Sequence, residues 1–293
     1  MDRGVGRFQG EVVEQEPHRF VQKGDGPPAP PPYGTLKGTN PVKLAEMTWP
    51  EMARVDRENT VLLAPYAACE QHGPHLPFYV DTFLCTAVAE GVEKTLPERV
   101  LLLPTQWLGA SAHHLPFFGT LTADLEQHVQ LMVHPLSQYL KGGWKKVFIL
   151  NGHGGNIDTY HLALRALHEQ FPEAQLMAAS YWKIADQEIA RRLKGPRKQV
   201  GHACEAETAM MLAVRPDLVR QELAEDCHMT TSPGIGAAYV PTNMQGRTRN
   251  GVVGYPTLAT RSQGQAILKA VVARIAQAAQ TLAEEGTPWA ERG

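Results

Sequence analysis

Between Cys69 and Asp81 the chain reads CEQHGPHLPFYVD, and these thirteen residues hold two carboxylates, two imidazoles, two prolines and a glycine. Glu70 and His72 lie two apart, so in extended backbone their side chains leave on the same side. Gly73 and Pro74 then interrupt regular structure, and the HLP that follows, with Phe78 and Tyr79, can turn the chain so that Asp81 opens the next helix. Three groups of metal-ligand type can converge in this way. The plainer alternative is a capping Asp81 with Glu70 and His72 facing solvent.

Two further clusters carry the same chemistry. NGHGGN, from Asn151 to Asn156, surrounds His153 with glycines, which leave little bulk beside an imidazole at a strand end. HACEAETAMML, from His202 to Leu212, reads as a helix whose first turns carry His202, Glu205 and Glu207 ahead of apolar Met210, Met211 and Leu212. Each glutamate has an ordinary reading as well, a surface carboxylate near a positive helix N-terminus. Taken together, the carboxylates and imidazoles suit Zn, Mn or Fe as divalent ions, and the lack of a cysteine cluster argues against a closed structural zinc site. Two such ions about 4 Å apart can share a bridging carboxylate.

The elements that must position these groups are legible as alternating runs. TVLLAP (60–65), RVLLLP (99–104), KVFIL (146–150) and QLMAASYW (175–182) are short and continuously apolar, as strands covered on both faces are. Helical patterns fill the intervals at 81–96, 124–143 and 157–171. This alternation predicts an α/β fold, a three-layer α/β/α sandwich with a mainly parallel central sheet. Ligands in such sheets bind where strands end, and the first and third runs lead straight into YAACEQHGPHLPFYVD and NGHGGN. Near the C-terminus, SQGQ (262–265) reads as a capping box opening a helix that runs to about Glu285.

The 293 residues are read as an extended Pro/Gly-rich arm over 1–40 and one α/β domain over 41–293. Lys+Arg 28 against Asp+Glu 30 leaves a formal charge of −2, which argues against a general electrostatic grip on nucleic acid or on an anionic membrane. Cys69, Cys85, Cys204 and Cys227 form no CxxC pair and suggest no disulfide framework. The first twenty residues lack the apolar core of a signal peptide and no apolar run reaches membrane-spanning length, so a cytoplasmic location is expected.

ACEQHGPHLPFYVDT, GASAHHLPFFGTLT (109–122), NGHGGN, HACEAET and GVVGYPTLAT (251–260), in that order, make the sequence resemble the creatininase family of metal-dependent amide hydrolases. The resemblance implies a binuclear metal site on an α/β sandwich in a homo-oligomer, usually a hexamer. It implies that Glu70, Asp81 and His153 hold one metal and His72 and Asp81 the other, with Asp81 as the bridge. Creatininase proper has a glutamate two residues after the NGH histidine, where this chain has Gly155. The missing ligand is therefore assigned to Glu207, with Glu205 as the alternative and His202 as the proton donor. Ser111, His113 and His114 are expected to line the substrate site, Gly154 and Gly155 to offer backbone donors, and Phe118, in place of the family's proline, to reshape the pocket wall.

The expected activity is hydrolysis of a non-standard or cyclic amide of a small molecule, a lactam among them, by metal-activated hydroxide. Within the family a deformylase-like or peptide-processing reaction is the alternative. A catalytically silent metal or small-molecule binding protein is a rival of another class. A cysteine hydrolase using Cys69 is a weaker one, because Cys69 and Glu70 are adjacent and adjacent strand residues point apart.

Overall fold

The computed structural model describes residues 43–228 and 240–286. The expected arm over 1–40 lies outside the described residues, as does 229–239 within the long loop before Asn250. Among the described residues four strands form one sheet: β1 (Val61–Tyr66), β2 (Val100–Leu102), β3 (Lys146–Asn151) and β4 (Gln175–Ser180). All neighbours are parallel and the order is β2-β1-β3-β4. β1 and β3 pair along their full length, from Val61 opposite Lys146 to Tyr66 opposite Asn151. Each strand lies within the run predicted for it or passes it by one residue.

Alternation along the strands separates two cores. Val61 and Leu63 of β1 and Phe148 and Leu150 of β3 pack against helices α1 (Val80–Thr95), α4 (Glu205–Val214) and α5 (Arg261–Glu284). Leu62, Ala64, Val147 and Ile149 pack on the other face against α2 (Leu125–Lys141) and α3 (Ile157–Gln170). β1 and β3 are buried throughout, which is why they lack a polar face in sequence. Each fully buried leucine contributes about 1.5–3 kcal/mol. β4 stands at an edge and most of it is only half-buried.

Pro135 sits inside α2 and has no N–H, so the carbonyl of Leu131 loses its helical partner. The Tyr66 hydroxyl, at the end of β1, donates to that carbonyl at 3.2 Å. The helix is thereby tied to the strand that leads into the site.

Two helix starts differ from the sequence reading by more than one residue. α5 starts at Arg261 with Thr260 as N-cap: the Thr260 hydroxyl accepts from Gln263 N, and the Gln263 carboxamide oxygen accepts from Thr260 N. The capping box is thus Thr-x-x-Gln, two residues before SQGQ, because Thr260 is the last residue in extended backbone. α4 begins at Glu205, not at His202: His202 pairs with Val253 in an antiparallel bridge, and Ala203 turns the chain at φ 48°.

Candidate metal centre

The strand order reverses direction between β1 and β3, the place where open α/β sheets form a crevice at the carboxyl ends of their strands. Past β1, Gly73 takes φ +64°, and a Cβ there would lie 2.5 Å from Val252, so the QHGPH turn is open only to glycine. The turn feeds α1, whose N-cap is Tyr79, and Asp81 is the second helical residue and not the cap. Past β3, the Asn151 side chain accepts from His153 N at 3.1 Å and donates to His153 O at 2.7 Å. His153 is therefore presented by a clamped turn. Glu207 comes from the first turn of α4, as Asp81 does from that of α1, where the helix dipole favours negative charge.

These side chains converge. His72 Nε2 lies 3.3 Å from one oxygen of Asp81, and His153 Nδ1 lies 3.1 Å from the other. His153 Nδ1 is also 3.2 Å from Glu70, and His72 Nε2 is 3.9 Å from Glu207. Asp81 thus reaches one imidazole with each oxygen. Glu70, His72, Asp81, His153 and Glu207 are all buried, so three carboxylates share a nearly dry space.

Burial raises Glu207 to about 7, with the Asp81 and Glu70 carboxylates adding to the rise and His72 opposing it. Burial disfavours charge on His72, yet Asp81, Glu207 and Glu70 outweigh it and lift the imidazole to about 9. His153 is raised for the same reason, burial being outweighed chiefly by Glu70 and Asp81. Asp81 lies below the usual carboxylate range, because His72 and His153 outweigh its burial. The field of this pocket favours cations.

The donor set fits divalent metal. Glu70 Oε2, His72 Nε2 and Asp81 Oδ2 are buried and make no hydrogen bond, an arrangement that is costly unless something else meets those atoms. Glu70, His72 and Asp81 place ligand atoms within 4.8 Å of one another, and so do His72, His202 and Glu207. Such mixed carboxylate and imidazole sets suit Zn, Mn or Fe.

Glu205 is elsewhere. Its carboxylate accepts from Lys194 N at 2.7 Å, Gly195 N at 2.9 Å and the Gln263 carboxamide at 2.6 Å. It fastens the 194–195 turn to α4 and α5.

The loop after β2 adds a rim. Buried Ser111 lies 3.3 Å from His153 Nε2, His114 Nε2 lies 3.4 Å from Glu70, and His113 stacks on His153 with ring centres 5.7 Å apart. A Cβ at Gly155 would stand 2.1 Å from Ala110 O, so this backbone path admits no side chain at the position two residues after His153. Gly154 faces open space. Phe118 does not form a pocket wall: its side chain stands wholly in solvent, beyond a turn in which Gly119, at φ +92°, packs on Phe78.

His75 is turned away from the carboxylates, with Nε2 2.9 Å from the Thr208 hydroxyl. Cys69 is buried, and burial together with Glu70 raises its thiol, which disfavours the nucleophilic thiolate. Two residues escaped the sequence reading. Asn156 holds Ala110 N at 2.9 Å and Ala67 O at 3.1 Å, joining the loops after β1 and β2. Gln71 contacts His114 and His202 from between two candidate ligands, and its position inside EQH was the available signal.

The family model for creatininase, creatinine amidohydrolase, matches residues 45–279. This chain belongs to the creatininase family. It is 30% identical over 260 residues to the creatinine amidohydrolase of Pseudomonas putida, covering 81% of this chain and 95% of that one. It is 29% identical over 258 residues to the mycofactocin precursor peptide peptidase of Mycobacterium ulcerans (strain Agy99), covering 83% and 89%. The solved structure "Creatininase Mn" superposes with a TM-score of 0.71 at 27% identity, covering 85% of this chain and 100% of that one. A creatininase variant of Zn-Zn type gives 0.70 at 27%, covering 85% and 99%. The chain is therefore a creatininase-family hydrolase with buried clusters able to hold metal. No helix among the described residues is long and apolar enough to cross a membrane.

Proposed function

We propose that this protein is a metal-dependent amidohydrolase that cleaves a non-standard or cyclic C–N amide bond of a small molecule. The observation that carries the reading is the buried meeting of Glu70, His72, Asp81, His153 and Glu207, with three of their atoms lacking any hydrogen bond. Glu70, Asp81 and His153 would hold one divalent cation, and His72, Asp81 and Glu207 a second. When bound, such a pair supplies Lewis-acid polarisation of the amide carbonyl and water acidified towards neutrality.

The chain's own groups do the rest. His202 Nδ1 stands 3.6 Å from Glu70, where it can take a proton and deliver it to the leaving nitrogen. Ser111, His113 and His114 border the space in which the substrate lies. N–H groups of Gly154 and Gly155, at the turn that opens α3, would serve as donors to a developing oxyanion. Leu125 and Leu162, exposed on the α2 and α3 layer, support a homo-oligomer, with a hexamer favoured by the family resemblance.

A second reading, a terminal peptide bond as the target, is favoured by one feature. The loop that carries His113 and His114 also exposes Leu115, an apolar side chain next to His114 that suits a side chain of a peptide.

The test is metal content of the purified wild type by mass spectrometry, with hydrolysis of lactams, formamides and short peptides. Bound divalent metal with turnover of a lactam or other small amide is the expected result. A wild type that binds no divalent metal ends the proposal, and fast hydrolysis of peptides alone selects the second reading.

A further inference from the structure

Four imidazoles crowd Glu70 and Asp81, yet only some are free to present a lone pair to a cation. Gln71 decides which. Its Oε1 accepts from Gly73 N at 2.9 Å, and its Nε2 faces Gly251 O at 3.3 Å. A flipped carboxamide would set NH2 against an N–H and oxygen against a carbonyl, so the orientation is fixed by its backbone partners. The same Nε2 lies 2.9 Å from His114 Nδ1 and 3.1 Å from His202 Nε2.

His202 Nε2 is 2.7 Å from the Gln71 carbonyl, which can only accept, so this nitrogen carries hydrogen. The two protons of the carboxamide therefore go to Gly251 O and to His114 Nδ1. His114 Nδ1 is left as an acceptor, and its proton sits on Nε2, facing Glu70 at 3.4 Å. His202 is left with its lone pair on Nδ1, facing Glu70.

The surroundings are shaped for this side chain. Gly251 takes φ +80°, and a Cβ there would fall 2.0 Å from Gln71 Oε1. Gln71 N donates to the Thr120 hydroxyl at 3.2 Å, so one residue joins three separate motifs.

Resting on the reading of this pocket as a metal centre, we propose that Gln71 is a positioning residue that sorts the imidazoles around Glu70. It holds His114 as an Nε2–H donor to the carboxylate, outside the ligand set, and turns the Nδ1 lone pair of His202 into the site. Without Gln71, the trio Glu70, His114 and His202, whose ligand atoms lie within 4.8 Å of one another, would compete for metal.

The experiment uses the full chain labelled with [15N]histidine. Long-range 1H–15N spectra are recorded before and after zinc loading, with signals assigned through His114→Gln and His202→Gln. His114 and His202 are expected as Nε2–H tautomers in the wild type. Zinc should shift His72 and His153 nitrogens while His114 keeps its pattern. In Gln71→Glu, which keeps an acceptor for Gly73 but removes both donors, His114 should leave the Nε2–H form. Nδ1–H on wild-type His114, a zinc-bound His114 nitrogen, or an unaltered spectrum in Gln71→Glu would each overturn the proposal. The wild-type spectrum can overturn the proposal even where the variant does not fold, since it requires Nε2–H on both His114 and His202. Zinc binding without amide hydrolysis would count against the proposed function and leave this inference standing.

Discussion

Two pairs of histidines share the same depth and differ in everything else. His72 and His153 are buried against the carboxylates of Asp81, Glu70 and Glu207. His75 and His128 are just as buried but face threonine hydroxyls, Thr208 at 2.9 Å and Thr159 at 2.7 Å. The first pair is raised in spite of burial. The second is lowered to about 4, by burial first and by a neighbouring histidine charge second. Depth alone therefore makes no site. A carboxylate partner turns a buried imidazole into half of a cation pocket, and a hydroxyl partner turns it into a neutral spacer.

The largest effect should come from removing the group that divides the pairs. Asp81→Ala takes away the oxygen that each of His72 and His153 faces. Hydrolysis should fall by more than the roughly 10–100-fold that loss of an outer partner costs a metal site. Metal retained after dialysis, counted by mass spectrometry, should drop with it. Unchanged metal content would move His72 and His153 into the class of His75 and His128.

Much of this was legible in the sequence, for identifiable reasons. Strands β1 and β3 are apolar without alternation because both of their faces are buried, so they could be placed within a residue. The ligand candidates lay in the loops just past those strands, where an open sheet puts its chemistry. What sequence left open was carboxylate choice between Glu205 and Glu207. Both lie in the first turn of α4, two residues apart on a helix, so they face different ways. Only the position of Lys194, Gly195 and Gln263 settles that Glu205 serves the fold. Phe118 was misread because a loop's direction depends on positive-φ turns such as Gly119, which spacing does not reveal. Gln71 was passed over because its meaning lies in partners 43 and 131 residues away.

The neutral pair makes its own prediction at acid pH. The Thr159 hydroxyl gives its proton to Asn156 O at 2.9 Å, so it accepts from His128 Nδ1. His128 then has a buried, unpartnered Nε2 that resists protonation. With a folded value of about 4 against the ordinary imidazole value of about 6.5, the unfolded chain binds more protons between those limits. Stability from this residue is complete above pH 6.5 and is lost as pH falls through 4, about 3 kcal/mol in all. His128→Gln retains a donor for Thr159 but cannot titrate, so its melting temperature should decline less steeply than that of the wild type from pH 7 to pH 4. Parallel declines would remove His128 from the neutral class.

The smallest change tests the comparison at adjacent positions. Glu207 and Thr208 follow each other on α4, one facing His72 and the other His75. Thr208→Val keeps the shape and removes the hydroxyl, leaving a second nitrogen of His75 without a partner beside Nδ1, which already lacks one. The loss of a buried hydrogen bond of this kind costs about 1–3 kcal/mol of stability, read as a lower urea midpoint, while metal content stays at the wild-type level. Glu207→Gln should do the reverse. It relieves the burial of a third carboxylate, so folding stability without metal should hold or rise, while retained metal falls. If both substitutions shifted stability and metal together, the two histidine classes would be one coupled network. If they separate, a single helical turn presents chemistry on one residue and packing on the next, and the type of group opposite each imidazole is what tells them apart.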